Sequence, residues 1–199
     1  MRVRINDDKS EILLDQEQYI NQVLDRFNMG DCKPVNTPME KGLCFDKPDP
    51  SVYQKELPYQ QFLSSLVYIS VLTRPDITFA VNFLSQFNNC YTEQRWKCAK
   101  RLLRYLQGTK GYCLACKRDS NYDLRGYVDA DFASNEIDRR SYTGFVFMLS
   151  GGSISWECNE QKTVALSSTE AEYMNITEAS KETVFLRNLL SEILDKFCA

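Results

Sequence analysis

The chain has 199 residues, of which 43% are apolar and 26% are charged, and it contains eight cysteines but no histidine. These proportions are those of an ordinary globular protein of one domain or two small domains. The lack of histidine excludes Ser–His and Cys–His catalysis as well as histidine-ligated metal. No apolar run is long enough to span a membrane and no signal-like segment is visible, so we expect a cytoplasmic or nuclear protein with reduced thiols and no membrane partner.

The first hundred or so residues are predicted to be mostly helical. Weak alternation over residues 2–5 and 11–14 predicts a short hairpin, and Asp15 is the candidate N-cap of the helix that follows. Several prolines then predict a long irregular loop over residues 31–57. Apolar residues at helical spacing predict three further helices. These helices begin at Pro58, at Pro75 and near Thr92.

The net charge of −3 conceals a strongly basic stretch in the middle of the chain. Residues 92–118 contain eight basic residues and one acid, Glu93, so this stretch carries +7 and the rest of the chain −10. On the helix predicted over 92–107, four basic residues recur at a spacing of three or four and therefore share one face. They are Lys97, Lys100, Arg101 and Arg104. This face predicts contact with nucleic-acid phosphates, although solvated charged helix faces are also common.

From Leu124 onwards the pattern changes to short strands followed by one long helix. The predicted strands cover residues 124–132, 142–149, 153–157 and 163–167, and the helix runs from 169 to 197. An apolar stripe on the helix is predicted to pack on the sheet. Its members are Ile176, Ala179, Thr183, Leu186, Leu190, Ile193 and Phe197. The whole chain is thus predicted to be α+β, with a mostly helical region before a layer of sheet and helix.

Four carboxylates are concentrated in two short stretches of this second part. Asp129 and Asp131 lie on one predicted strand, and Glu170 and Glu172 lie at the start of the long helix. Carboxylates on neighbouring elements are the ligands with which proteins hold Mg²⁺. Two alternatives stay open. The aspartates can lie on a solvent-facing edge, and either Ser167-x-x-Glu170 or Thr169-x-x-Glu172 can be a capping box that satisfies backbone N–H groups.

A second candidate metal motif is the C-x-x-C formed by Cys113 and Cys116. A structural zinc site needs two more ligands, and neither Cys158 nor Cys198 belongs to a second pair. Half-buried thiols of a predicted strand over residues 111–116 are therefore the preferred interpretation.

Motifs along both parts of the chain resemble one known family. The second part contains YVDADFA at 127–133, DRRSYTG at 138–144, GSISW at 152–156 and VALSSTEAEY at 164–173. These stretches resemble the ribonuclease H domain of copia-type LTR retrotransposon Pol polyproteins. Upstream, residues 19–38, 72–81 and 100–109 resemble the end of the reverse transcriptase of the same family, its thumb and connecting region. One small departure is Phe132, where the family usually has tryptophan.

The resemblance implies a function for several of these residues. The family's ribonuclease H cleaves the RNA strand of an RNA–DNA hybrid with two Mg²⁺ ions held by four acids. By position, Asp129 matches the first acid, Glu170 matches the second, and Asp131 is a further candidate ligand. The thumb-like region implies that the basic helix grips an RNA–DNA hybrid or another duplex, with the remainder of the polyprotein as a further partner.

We therefore expect residues 1–118 to be thumb- and connection-like, and residues 119–199 to form an incomplete ribonuclease H-like fold of three to four strands and one long helix. The motifs of the last two acids and of the polymerase palm are not found. The expected product is thus a fragment derived from an RNA-directed DNA polymerase and ribonuclease H but without catalytic activity. The alternatives are a non-catalytic nucleic-acid-binding module that uses helix 92–107, and a product with no function.

Overall fold

The computed structural model describes residues 1–40, 56–118, 123–135 and 137–198, with side chains described as far as residue 193. Within these residues the chain forms α-helices and two three-stranded sheets, which confirms a mixed α and β protein. The chain divides into two compact units, Met1–Tyr122 with Ser150–Ser153, and Asp123–Leu149 with Ile154–Ala199. The predicted boundary after residue 118 stays a prediction, because residues 119–122 lie outside the described part. None of the described helices combines the length and apolar character needed to cross a membrane.

The first sheet of the first unit contains the predicted hairpin, which is confirmed. Strands β1 (Arg2–Ile5) and β2 (Glu11–Asp15) pair antiparallel, and β2 also pairs antiparallel with β3 (Leu114–Lys117). The predicted N-cap of the next helix is off by one residue, because Gln16 holds that position, but the Asp15 carboxylate accepts a hydrogen bond from the Glu17 N–H at 3.3 Å. Asp15 ends β2, where its buried carboxylate lies 3.1 Å from Arg2 Nε and 3.0 Å from Arg4 Nη2. The two arginines of the neighbouring strand thus fix this carboxylate against β1.

Four helices form the rest of the described first unit. They are α1 (Glu17–Arg26), α2 (Tyr59–Leu72), α3 (Thr78–Ser85), which a 3₁₀ turn at Pro75–Ile77 precedes, and α4 (Glu93–Thr109). Helix α4 begins where predicted, because the Thr92 hydroxyl accepts a hydrogen bond from the Arg95 N–H at 3.5 Å. Nineteen buried apolar side chains from these helices and their connections form one continuous core. Of the predicted loop over 31–57, residues 41–55 lie outside the described part.

The turn between α2 and α3 is held by a buried arginine. Arg74 is 2% exposed and binds both carboxylate oxygens of Asp76, with Nε to Oδ1 at 2.8 Å and Nη2 to Oδ2 at 2.7 Å. Its remaining N–H groups reach α4, where Thr109 O lies 3.0 Å from Nη1 and Thr109 Oγ1 lies 2.7 Å from Nη2. The Tyr105 hydroxyl donates to Asp76 Oδ2 at 2.8 Å. Every charge buried here is thus paired, as a stable buried ion pair requires.

The second unit contains one sheet and one long helix. The sheet has the strand order β4-β5-β6, with strands β4 (Arg125–Asp131), β5 (Tyr142–Leu149) and β6 (Gly152–Glu160), and helix α5 covers Ser168–Cys198.

The predicted strand over residues 163–167 is wrong, since these residues form a bend into α5. The side chain of Gln161 fixes this bend. It donates to Thr143 Oγ1 at 3.1 Å and to the Ala171 carbonyl at 2.9 Å, and so ties the end of β6 to both β5 and α5.

Helix α5 packs on the sheet over only part of its length. Phe145 and Phe147 of β5 form a buried cluster with Ala179 and Leu186 of α5. The predicted stripe is wrong at Ile176, which is 51% exposed, because the buried face of α5 passes through Ala171, Asn175, Ala179 and Leu186. Ile193, beyond the last of these, is 40% exposed, and the side chain of Phe197 lies outside the described part. The 31 residues of α5 extend over about 46 Å, whereas the eight residues of β5 extend over about 26 Å, so the helix is longer than the sheet that it covers.

Candidate metal and nucleic-acid sites

Asp129 and Asp131 lie on β4, which is an edge strand of its sheet in the described part of the chain. In the antiparallel register Val128 lies opposite Phe145, and Phe145 packs on α5. Cross-strand partners share a face and successive side chains alternate, so Asp129 and Asp131 lie together on the face away from α5. Both carboxylates are exposed to solvent.

Glu170 lies in the first turn of α5, at the capped start of the helix. Its Oε2 accepts a hydrogen bond from the Leu166 N–H at 2.7 Å, and Ser167 Oγ accepts one from the Glu170 N–H at 3.1 Å. The Glu170 N–H belongs to the first turn of α5 and has no partner inside the helix, and Ser167 caps it as predicted. The capping interpretation of the Ser167-x-x-Glu170 motif is thus confirmed for Ser167, whereas Glu170 binds the N–H of Leu166 and not that of Ser167. Glu172, two residues further on, is exposed.

The acids that the described residues provide do not fit a cage for two Mg²⁺ ions. No three of the described His, Cys, Asp or Glu residues lie close enough together to hold a metal. The structure thus brings Asp129 and Asp131 together on one face. It does not place Glu170 close enough to form a group of three carboxylates with them. Mg²⁺ prefers near-octahedral coordination by oxygen atoms. With two carboxylates as ligands, most of these positions are filled by water.

The thiols also give no metal site in the described part of the chain. Burial raises the pKa of Cys158 to about 11, and the negative charges of Asp131 and Glu157 act in the same direction. In the metal-free chain this thiol is therefore neutral at pH 7 and is not a reactive thiolate. No group of three candidate ligands that includes a thiol is found among the described residues. Cys113 and Cys116 are half-buried free thiols, as expected, but the predicted strand over residues 111–116 is shifted to Leu114–Lys117 and contains only Cys116.

The basic face of α4, formed by Lys97, Lys100, Arg101 and Arg104, is only partly free at the surface. Lys97 is exposed and its Nζ lies 3.8 Å from Glu93 Oε1 one turn earlier. The Lys100 ammonium lies 5.7 Å from the centre of the Trp96 ring, within the range of a cation–π contact. The ammonium groups of both lysines therefore lie next to side chains of α4 itself.

The two arginines of this face contact the irregular segment that precedes α2. Arg101 Nη1 lies 2.9 Å from Glu40 Oε1, and Arg101 Nη2 donates to Thr37 Oγ1 at 3.0 Å. Arg104 Nε donates to the Lys33 carbonyl at 2.8 Å. Sequence reasoning did not find Thr37 and Glu40, because a position in an irregular proline-rich loop has no periodicity that places it against a helix.

Sequence reasoning also missed the function of Arg74 and Asp76 in the fold. Residues 72–81, which contain both side chains, support the family resemblance. The ion pair that Arg74 and Asp76 form was not predicted. The available signal was an arginine between two strongly apolar helical segments, which has to be paired if it is buried.

Three known proteins show what the chain is similar to. It is 43% identical over 92% of its length to the retrovirus-related Pol polyprotein from transposon TNT 1-94 of Nicotiana tabacum. It is 46% identical over 66% of its length to the secreted RxLR effector protein 161 of Plasmopara viticola, and covers 93% of that protein. It is 38% identical over 90% of its length to the retrovirus-related Pol polyprotein from transposon RE1 of Arabidopsis thaliana.

The chain spans only a small part of the two Pol polyproteins, 14% of the tobacco protein and 12% of the Arabidopsis protein. No protein-family model matches the chain. No solved structure matches it either.

Proposed function

The chain belongs to the family of retrovirus-related Pol polyproteins from transposons, and we propose that it is the part that joins the end of the reverse transcriptase to the ribonuclease H domain. The motifs of the two predicted parts follow one another in family order, and their residues fall into two compact units of different architecture. The remainder of the polyprotein is then a partner of both units.

Within this segment, we propose that α4 binds the phosphates of an RNA–DNA hybrid or another duplex through its basic face. The observation that carries this proposal is the division of α4 into two sides. One side of α4 is buried in the core and fixes the helix in place, through Ala99, Leu102, Leu103 and Leu106. The four basic residues alternate with these in the sequence and lie on the opposite side of the helix. Lysine and arginine on a fixed helix supply affinity for nucleic acid without sequence specificity.

We further propose that the described residues do not themselves hydrolyse the hybrid. Two-metal hydrolysis needs carboxylates that hold both ions on the scissile phosphate. Here Asp129 and Asp131 share a face, and a carboxylate oxygen of Glu170 is engaged with the Leu166 N–H. Mg²⁺ is thus proposed to bind this chain weakly at most, and the intact polyprotein needs ligands from elsewhere in its sequence.

A salt titration tests the binding proposal. Affinity for a labelled RNA–DNA hybrid is measured by fluorescence anisotropy, and its logarithm should fall linearly with the logarithm of the salt concentration. The Lys97→Ala and Lys100→Ala double variant should lower the slope by about 1 to 2, which corresponds to about 0.9 per lost phosphate contact. Lys162→Ala, an exposed lysine of the second unit, is the matched control and should leave the slope unchanged. A slope unaffected by the double variant contradicts the proposal.

A further inference from the structure

Residues 30–40, called here the 30–40 segment, run along α4 in the opposite direction to the helix. Gln107 Nε2 donates to the Gly30 carbonyl at 2.7 Å, and Arg104 Nε donates to the Lys33 carbonyl at 2.8 Å. One turn earlier on the helix, Arg101 binds the end of the same segment. The three helix residues are three positions apart and therefore lie on one side of α4, so the contacts form a continuous line.

Backbone contacts reinforce this line at its centre. The Val35 N–H donates to the Arg104 carbonyl at 3.4 Å. Pro34 packs so closely on Gly108 that a Cβ atom at Gly108 would lie 3.1 Å from Pro34 Cβ. The segment is thus seated on the helix along most of its length, although it contains no regular secondary structure.

The end of the segment occupies the guanidinium group that a phosphate would bind. Arg101 is largely covered, with a side-chain exposure of 23%, and its Nη1 and Nη2 atoms bind Glu40 and Thr37. A carboxylate offers arginine the same planar acceptor arrangement as two oxygens of a phosphate. Glu40 therefore competes for the same donors as a nucleic-acid backbone.

Two further observations indicate that this contact can be exchanged. The Glu40 side chain is 63% exposed, and an ion pair open to water contributes little to stability. Among the residues that the structure describes, the buried Arg101 Nε atom has no hydrogen-bond partner, so this arrangement leaves one donor of the guanidinium unsatisfied. A phosphate that reaches Arg101 after the segment moves can use this donor as well.

We propose that the 30–40 segment is an autoinhibitory strap, which masks Arg101 and Arg104 until a duplex displaces Glu40 and Thr37. This inference rests on the proposed binding of nucleic acid by the basic face of α4. In the strapped state Lys97 and Lys100 make the first contacts with the duplex. Release of the strap then allows Arg101 and Arg104 to contact phosphates as well. The affinity for the duplex therefore depends on how tightly Thr37 and Glu40 bind Arg101.

The first test compares variants of the strap in the hybrid-binding assay with the full chain. Glu40→Gln removes the competing charge and should tighten binding by about three- to fivefold. Thr37→Ala leaves the net charge unchanged and should tighten binding by about twofold, because it weakens the hold on Arg101. Glu56→Gln is the matched control, since Glu56 is an exposed glutamate outside the strap and its loss changes the net charge equally. It should change affinity less than twofold.

The second test observes the strap itself. The amide hydrogen of Val35 is bonded to Arg104 in the strapped state, so addition of the hybrid should increase its exchange rate in NMR experiments. A Val35 amide that stays equally protected in the bound state overturns the strap, as do equal effects of Glu40→Gln and Glu56→Gln with none from Thr37→Ala. Loss of salt-dependent binding in every form of the chain instead contradicts the proposed function, and the strap with it.

Discussion

The ionic residues of the two units differ in how the fold uses their charges. In the first unit the Arg74 guanidinium is almost fully buried and is bound on all sides by Asp76 and Thr109. In the second unit Asp129 and Asp131 lie exposed on one face of an edge strand. An enclosed ion pair is costly to break from one side, and its charges cannot bind a ligand. Exposed charges can bind a ligand and contribute little to stability. Both kinds occur in stretches that carry the family resemblance, so a motif alone does not distinguish them.

The largest effect is expected from Asp76→Ala, which leaves the buried guanidinium of Arg74 without its carboxylate. Breaking a fully buried ion pair from one side costs about 3 kcal/mol or more, and we expect about 2 kcal/mol here because the Asp76 side chain is 33% exposed. The free energy of unfolding, measured by urea denaturation, should fall by about this amount. The control is Asp123→Ala, which removes an exposed pair with Arg125 at 3.6 Å and should cost less than about 1 kcal/mol. Equal losses in the two variants contradict the distinction between enclosed and exposed charges.

The next effect is a pH dependence that comes from the same pair. Burial acts to raise the pKa of Asp76, but the hydrogen bonds and charge of Arg74 and the hydroxyl of Tyr105 outweigh it, and the pKa lies below its ordinary value. A carboxylate with a depressed folded-state pKa contributes stability above its unfolded pKa of about 4, and this contribution is lost as the pH falls through the folded-state pKa. The stability difference between the wild type and Asp76→Asn should thus be constant between pH 7 and pH 5 and smaller at pH 3. A difference that is still unchanged at pH 3 contradicts this explanation.

A smaller effect is expected from the cap of α5. Glu170→Ala removes the acceptor of the Leu166 N–H and should lower the stability of the second unit by about 1 kcal/mol. Glu172→Ala is the matched control, because Glu172 is exposed in the same helical turn and should cost less than about 0.5 kcal/mol. Circular dichroism at 222 nm during denaturation follows both variants. An equal cost for the two glutamates is incompatible with a stabilising contact between Glu170 and Leu166.

The smallest effect is expected at Asp129. Asp129→Asn removes an exposed charge on an edge strand and should change the free energy of unfolding by less than about 0.5 kcal/mol, in the presence or absence of Mg²⁺. The thermal midpoints of wild type and variant at increasing Mg²⁺ concentrations provide the measurement. Stabilisation of the wild type by millimolar Mg²⁺ that disappears in Asp129→Asn is the outcome that contradicts a weak site.

Local signals in the sequence predicted much of the structure. The hairpin at the start of the chain, the helix start near Thr92 and the cap that Ser167 provides for Glu170 are each determined by residues close together in the sequence, and each is confirmed. The prediction for Asp15 was partly right, because its carboxylate accepts the first N–H of α1 although Gln16 holds the N-cap position. Its ion pairs with the two arginines of the paired strand were not predictable from its place before the helix.

Contacts between distant parts of the chain were not predictable in this way. The strand expected over residues 163–167 has suitable apolar residues, but Gln161 ties the chain to Thr143 and Ala171 before another strand can form. Likewise, the spacing of Lys97, Lys100, Arg101 and Arg104 correctly predicted a shared helix face. It could not show that Glu40, 61 residues before Arg101, covers part of this face.

The central claim is that this segment of a transposon Pol polyprotein binds a nucleic-acid duplex but does not cleave it. The most direct measurement incubates the chain with an RNA–DNA hybrid labelled on its RNA strand, with 10 mM Mg²⁺, and follows both binding and the length of the RNA. We predict a bound hybrid with intact RNA, and the same result for Asp129→Asn. Mg²⁺-dependent cleavage by the wild type that Asp129→Asn abolishes while binding persists would contradict the claim.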